Sequence, residues 1–94
     1  MQQEKIVRAM YMGHEIVARN FWKMTRDEFA TEATLAFDGV VVARTTEVSH
    51  RKAKLEANLR DGDDNHAVEV RFGGFVRLRM KIMVDGRKVG GDLT

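Results

Sequence analysis

The sequence predicts a small all-β protein, an antiparallel β-sandwich or flattened barrel built from Asp-Gly hairpins. Apolar and polar residues alternate along much of the chain, with the period of a half-buried strand. Asp-Gly occurs twice between β-favouring runs. A chain of 94 residues has room for one core. We therefore expect a single β-domain over residues 1–94.

The clearest alternation lies near the C-terminal end. From Arg77 to Val84 every second residue is apolar, and the run from Val68 to Phe72 has the same pattern. Gly73-Gly74 lies between the two runs and tolerates positive φ. The two runs therefore predict a hairpin with its turn at this glycine pair.

Two of the Asp-Gly pairs predict further hairpins. Asp38-Gly39 lies between residues 33–37 and 40–43, and Asp85-Gly86 precedes residues 87–89. Type I′ turns need two residues at positive φ, which Asp-Gly supplies. Residues 6–12 and 15–22, on either side of Gly13-His14, predict one more pair of strands.

Two segments contain helix signals. Thr25 and Glu28 have the spacing of a capping box, which predicts a short helical turn over residues 26–32. Residues 49–62 are rich in helix formers, but Leu55 and Leu59 also fit a strict alternation. We predict a strand for this segment, with a helix as the alternative.

The alternation also predicts which side chains form the core. The predicted inward residues are Ile16, Ala18, Leu35, Phe37, Val42, Leu55, Leu59, Val68, Val70, Phe72, Leu78, Met80, Ile82 and Val84.

Composition narrows the class of protein and its location. Lys and Arg number 16 against 14 Asp and Glu, a net charge of +2. The absence of Cys excludes a disulfide scaffold and favours a reducing, cytoplasmic location. No apolar stretch approaches the roughly 20 residues that span a bilayer, and the N-terminus lacks the layout of a signal peptide. We expect no membrane partner.

Residues suited to catalysis or metal binding are few. Ser49 is the only serine. The three histidines, at positions 14, 50 and 66, are far apart in the sequence, and we interpret each as a turn or surface residue. Asp61-x-Asp63-x-Asn65 resembles the start of a calcium loop, but His66 stands where that loop needs Gly. A pocket joining His66 to Asp63 or Asp64 would favour an enzyme. We expect no catalytic residues, no metal and no cofactor.

One group of cations stands out. If residues 52–60, 66–72 and 75–84 are successive antiparallel strands, their outward positions share one basic sheet face. The face consists of Lys52, Lys54, Arg60, Arg71, Arg77, Arg79 and Lys81. This face is either a solvated surface or a binding site. If it is a binding site, we expect its partner to be an acidic protein surface. Nucleic acid is the alternative, although no aromatic residue interleaves with these cations.

Two further features suggest contact with proteins. Phe21 and Trp22 are candidate interface residues, because aromatic side chains anchor many interfaces, although Trp22 also suits a core. A small sheet leaves edge strands unpaired, and a second copy of the chain often closes them. A homodimer is therefore a second prediction.

Five segments together resemble a known family. They are His14–Val17, Leu35–Val42, Val68–Val70, Gly74-Phe75 and Met80–Val89. In order and spacing they resemble the antiparallel β-domains of the Fas apoptotic inhibitory molecule family, with one Asp-Gly hairpin early and another at the end. The resemblance implies a non-enzymatic domain that works by protein contact.

Overall fold

Eight strands form two four-stranded antiparallel sheets in a computed structural model of the chain, which describes residues 2–27, 29–46, 54–73 and 79–91. Sheet A contains, in spatial order, β1 (Gln2–Tyr11), β2 (His14–Met24), β3 (Phe29–Phe37) and β4 (Val40–Thr45). Sheet B contains β5 (Lys54–Asp61), β6 (Asp64–Gly73), β7 (Arg79–Val84) and β8 (Arg87–Gly91). The predicted all-β class is confirmed, as a pair of sheets rather than a closed barrel.

Three hairpins turn through two residues at positive φ. These pairs are Met12-Gly13, Asp38-Gly39 and Asp85-Gly86, with φ near 50° at the first residue and 82–84° at the glycine. Two positive values define the type I′ turn, whose twist matches that of the flanking strands. Both predicted Asp-Gly hairpins are confirmed, and the first hairpin turns one residue earlier than predicted.

The predicted helical turn over residues 26–32 is wrong. Arg26 and Asp27 form a bend, and β3 begins at Phe29, although Glu28 itself lies outside the described residues. Residues 29–37 pair with β2 from Met24 back to Ile16. One capped turn is costly to nucleate, so a nine-residue strand pairing outweighs it. None of the described residues forms a helix, so none forms one long and apolar enough to cross a membrane.

The ambiguous segment is a strand where the structure describes it. β5 runs from Lys54 to Asp61, and β6 returns from Asp64, so only Gly62 and Asp63 separate them. β6 pairs with β7 as predicted, but Gly73 pairs with Arg79. Residues 74–78, rather than a glycine pair, therefore connect β6 to β7, and they lie outside the described residues.

Both sheets contribute to one core. Twelve of the predicted core residues are buried, and Leu78 lies outside the described residues. Val42 is the exception, at 42% exposed, because it is the extra residue of a β-bulge opposite Leu35 and Ala36. Val7, Ala9 and Ala33 are also buried, although the alternation did not single them out.

The two sheets repeat one plan. Ile16 pairs with Phe37 in sheet A, and Val68 pairs with Val84 at the matching position of sheet B. Phe37 and Val84 are each followed directly by an Asp-Gly turn. Both final hairpins carry a bulge at the same step, after Leu35 in sheet A and after Ile82 in sheet B. Residues around these turns therefore have matched positions in the two sheets, which allows the outer faces to be compared there.

One edge of sheet A lies against sheet B. A Cβ atom at Gly90 of β8 would lie 2.8 Å from the Cβ of Ala9 and 3.0 Å from the carbonyl oxygen of Arg8. Only a residue without a side chain permits this approach of β8 to β1. The opposite edge of sheet A is strand β4.

Candidate binding surfaces

The predicted basic face lies on the outer side of sheet B. Lys54 pairs with Arg71, and Arg71 pairs with Lys81, so three cations form one row across β5, β6 and β7. Arg79 lies two residues from Lys81 on β7, with the same orientation. We call these four residues, Lys54, Arg71, Arg79 and Lys81, the basic row.

Two members of the basic row are paired with carboxylates on their own strands. Nζ of Lys54 lies 2.7 Å from Oε1 of Glu56, and Nε of Arg71 donates to Oε1 of Glu69 at 2.7 Å. The Glu56 carboxylate raises the pKa of Lys54, and the Arg71 guanidinium lowers the pKa of Glu69. The positive potential of the row is therefore partly neutralised.

The remaining predicted cations fall into three groups. Arg79 and Lys81 form no ion pair with any described residue. Arg60 donates from Nε to the carbonyl oxygen of Gly62 at 3.1 Å, next to the β5–β6 turn. Lys52 and Arg77 lie outside the described residues.

Phe21 and Trp22 point to opposite faces of sheet A. Trp22 is partly buried and packs against the core, which agrees with its interpretation as a core residue. Phe21 is partly exposed on the outer face, where it lines a shallow groove together with Arg19, Thr34 and Glu32. The pair is therefore not one interface site, because adjacent strand residues alternate between faces.

A row of apolar residues crosses the outer face of sheet A. Val17 pairs with Ala36, and Ala36 pairs with Val41, next to the bulge residue Val42. Val41 is 51% exposed and Val42 is 42% exposed. We call these four residues, Val17, Ala36, Val41 and Val42, the valine row. The fold prediction placed Val42 in the core, so this surface was missed from the sequence.

Sheet B has charges at two of the matched positions and apolar residues at the other two, where Met83 matches Ala36 and Val89 matches Val42. Glu69 stands at the position of Val17, and Lys88 at the position of Val41. In the same register Arg87 stands at the position of Val40, which is 64% exposed. The repeat thus accommodates charged side chains at the positions of Val17, Val40 and Val41.

The charges beside the valine row are paired within the chain. Arg19 donates from Nε to Oε2 of Glu4 at 2.7 Å, and Nε of Arg44 lies 3.9 Å from Oε1 of Glu32. Arg44 is the one charged residue of β4. Strand β4 therefore exposes an apolar segment whose nearest charge is already neutralised.

Two histidines each bind the aspartate of an Asp-Gly turn. Nδ1 of His14 lies 2.7 Å from Oδ2 of Asp38, whose Oδ1 accepts the backbone N–H of Glu15 at 2.9 Å. Asp38 raises the pKa of His14, which in turn lowers the pKa of Asp38. Nε2 of His14 also lies 3.1 Å from Oδ1 of Asp61, at the end of β5.

The second histidine repeats only part of this arrangement. Nδ1 of His66 lies 2.7 Å from Oδ2 of Asp85, and Oδ1 of Asp85 accepts the N–H of Ala67 at 2.9 Å. The hydrogen bond from His66 lowers the pKa of Asp85. Nε2 of His66 is buried without a hydrogen-bond partner, and the ring meets Tyr11 edge-on, 5.1 Å between centroids.

The grooves and ligand clusters of the described residues bear on two features that the sequence suggested for these histidines. The grooves described there do not join His66 to Asp63 or Asp64, the arrangement that would favour an enzyme. No cluster of three His, Asp or Glu ligands suited to a metal occurs among the described residues. Both histidines lie near turns, as expected, while His50 lies outside the described residues.

The fold and these surfaces define an all-β domain of two antiparallel four-stranded sheets with an internal repeat. No family model, no curated protein and no solved structure matches this chain significantly.

Proposed function

We propose that this chain is a non-catalytic binding module that acts through protein–protein contact. The contact surface we propose is the valine row together with the exposed edge strand β4. The observation that carries the proposal is the difference between the two outer faces, because Val17 and Val41 stand where the repeat has Glu69 and Lys88. Exposed apolar patches are typical of interaction sites.

The partner we assign to this surface is a second copy of the chain. Strand β4 is at the edge of its sheet, where backbone groups on one side have no strand partner among the described residues. A two-fold contact closes such an edge on both copies at once. Because Arg44 is paired with Glu32 in its own copy, two β4 strands meet without unpaired like charges between them.

Replacing Val40 and Val41 with Arg and Lys tests this assignment. The two substitutions copy Arg87 and Lys88 of the matched strand, so the variant should fold. We expect the wild-type chain to sediment as a dimer at micromolar concentration and the double variant as a monomer of 10.7 kDa.

The matched control is Arg87→Ser, which alters the corresponding strand of sheet B and should leave the dimer intact. A wild-type monomer at these concentrations, or a double variant that still dimerises, would overturn the assignment of the second copy.

The basic row supports a second contact, with an acidic protein surface. Arg79 and Lys81 have no carboxylate partner among the described residues, so their charges are open to an external one. Glu56 and Glu69 pair with Lys54 and Arg71, so Arg79 and Lys81 are the cations of the row that remain for an external carboxylate. No described aromatic residue shares this face for base stacking. These features favour an acidic protein over nucleic acid.

Replacing Arg79 and Lys81 with Ser tests this contact. We expect the affinity for a poly-glutamate peptide to fall about tenfold, because two unpaired cations are lost. The matched control is Lys23→Ser with Arg26→Ser, which removes the same charge from exposed positions elsewhere. If the protein binds duplex DNA more tightly than poly-glutamate, and the logarithm of the association constant falls linearly with the logarithm of the salt concentration, the nucleic-acid alternative is supported instead.

Two further predictions accompany this proposal. The resemblance to the Fas apoptotic inhibitory molecule family implies the same class of function, and the two Asp-Gly hairpins on which it depends occur in the fold. A cytoplasmic location is expected from the lack of cysteine.

A further inference from the structure

We propose that His14 is a pH-dependent latch between the two sheets. Each nitrogen of its ring faces a carboxylate, Nδ1 that of Asp38 in sheet A and Nε2 that of Asp61 in sheet B. A neutral imidazole has one N–H and can donate to only one of these carboxylates, whereas an imidazolium donates to both. The protonated ring therefore joins the sheets, and the neutral ring does not.

The local hydrogen bonds decide which contact is lost on deprotonation. Asp38 is held in its turn by two backbone bonds to Glu15, one accepted by Oδ1 at 2.9 Å and one donated by its N–H at 2.8 Å. The carboxylate of Asp61 makes no hydrogen bond to any other described residue. The neutral ring should therefore keep Asp38 and release Asp61, which is the link to sheet B.

The internal repeat provides a natural comparison. His66 binds Asp85 as His14 binds Asp38, but its Nε2 has no partner. The difference arises because β5 continues two residues beyond the position that matches Tyr11, and Asp61 belongs to that extension. The His66 ring lacks a second carboxylate among the described residues, so the latch exists at only one of the two matched positions.

The surrounding charges favour the protonated ring. The titratable groups around His14 are Tyr11 on β1, Glu15 on its own strand, Asp38, Asp61 and the Asp64 that pairs with Asp61. Four of these five are carboxylates, and Asp38 and Asp61 raise the pKa of His14 above its ordinary 6.5. A raised pKa means that the latch is complete below pH 6.5 and is lost as pH rises through the folded-state value.

Asp38 contributes a pH dependence of its own on the acidic side. Its pKa is lowered from 3.8, so its share of the stability is present above pH 3.8 and is lost as pH falls through the folded-state value. The contributions of His14 and Asp38 are therefore both complete between pH 3.8 and pH 6.5, and that of His14 is lost as the ring deprotonates at higher pH.

Asp61→Asn in the full chain tests the latch, with Asp63→Asn of the same turn as the matched control. Asparagine keeps the shape and an acceptor oxygen but lacks the negative charge that favours the imidazolium. We expect the NMR titration midpoint of the His14 ring to fall in Asp61→Asn and to stay at the wild-type value in Asp63→Asn. We also expect Asp61→Asn to lower Tm by about 3 °C near pH 5.5 and by almost nothing near pH 9.

The backbone amides provide an independent readout of the link between the sheets. In the wild-type chain the amide shifts of Gly62 and Asp63 should titrate with the midpoint of the His14 ring, and in His14→Gln they should not. A His14 midpoint unchanged in Asp61→Asn, or a difference in Tm that is the same at both pH values, overturns the latch. If Asp61→Asn does not fold, the loss of amide titration in His14→Gln decides between the two outcomes.

Discussion

At the scale of single residues, the turns show how strongly backbone sterics select side chains. All three type I′ turns place glycine second, where φ is 82–84°. In two of the turns the first residue is an aspartate, Asp38 or Asp85, and aspartate tolerates positive φ. The first turn instead has Met12, whose φ of 50° is costly for a side chain of this kind.

Met12→Asn should therefore stabilise the protein. Asn-Gly is the preferred pair for a type I′ turn, and Met12 is 55% exposed, so little packing is lost. We expect the free energy of unfolding, measured in urea, to rise by about 0.5–1 kcal/mol. Met10→Asn, at an exposed strand position, should give no such gain. Equal effects of the two substitutions would contradict this explanation.

At the scale of the strands, a bulge decides which side chains reach the core. Alternation alone predicts that Val42 points inward, like Val84 and Ile82 in the other sheet. The bulge opposite Leu35 and Ala36 adds one residue to β4, which leaves Val42 exposed. Bulges also make edge strands less regular. The same bulge produces part of the valine row. Val42 therefore belongs to the proposed contact surface instead of the predicted core.

At the scale of whole elements, strand pairing outweighs local helix signals. The capping box at Thr25 and Glu28 favours a helix, yet β3 begins at Phe29 because nine residues pair with β2. The helix formers of residues 54–61 likewise lie in a strand paired with β6. In residues 54–61 the alternation predicts the outcome better than propensity does, because burial of one face outweighs intrinsic preference.

At the scale of the molecule, the two sheets should unfold as one cooperative unit, because a single core joins them. Ile82→Ala should lower the free energy of unfolding by about 3 kcal/mol, since Ile82 is fully buried. Hydrogen exchange should show the same loss of protection for β2 amides as for β7 amides. The control Met83→Ala, on the opposite face of the strand, should cost much less. A loss confined to sheet B would contradict a single unit.

The proposed surfaces differ in how far the sequence could predict them. The row formed by Lys54, Arg71 and Lys81 follows from strand parity once three adjacent strands are assumed. Its pairing with Glu56 and Glu69 could not be predicted, because it depends on side-chain conformation. Phe21 and Trp22 were grouped by adjacency, although adjacent strand residues face opposite sides.

The sequence by itself determined the all-β class, the two Asp-Gly hairpins and most of the core, because strand period and turn sterics are local properties. Only the tertiary structure decided that the sheets repeat one plan, that Val42 is exposed and that His14 contacts a carboxylate from each sheet. Asp38 and Asp61 lie 24 and 47 residues from His14, and the packing of the two sheets is what brings them to the same ring.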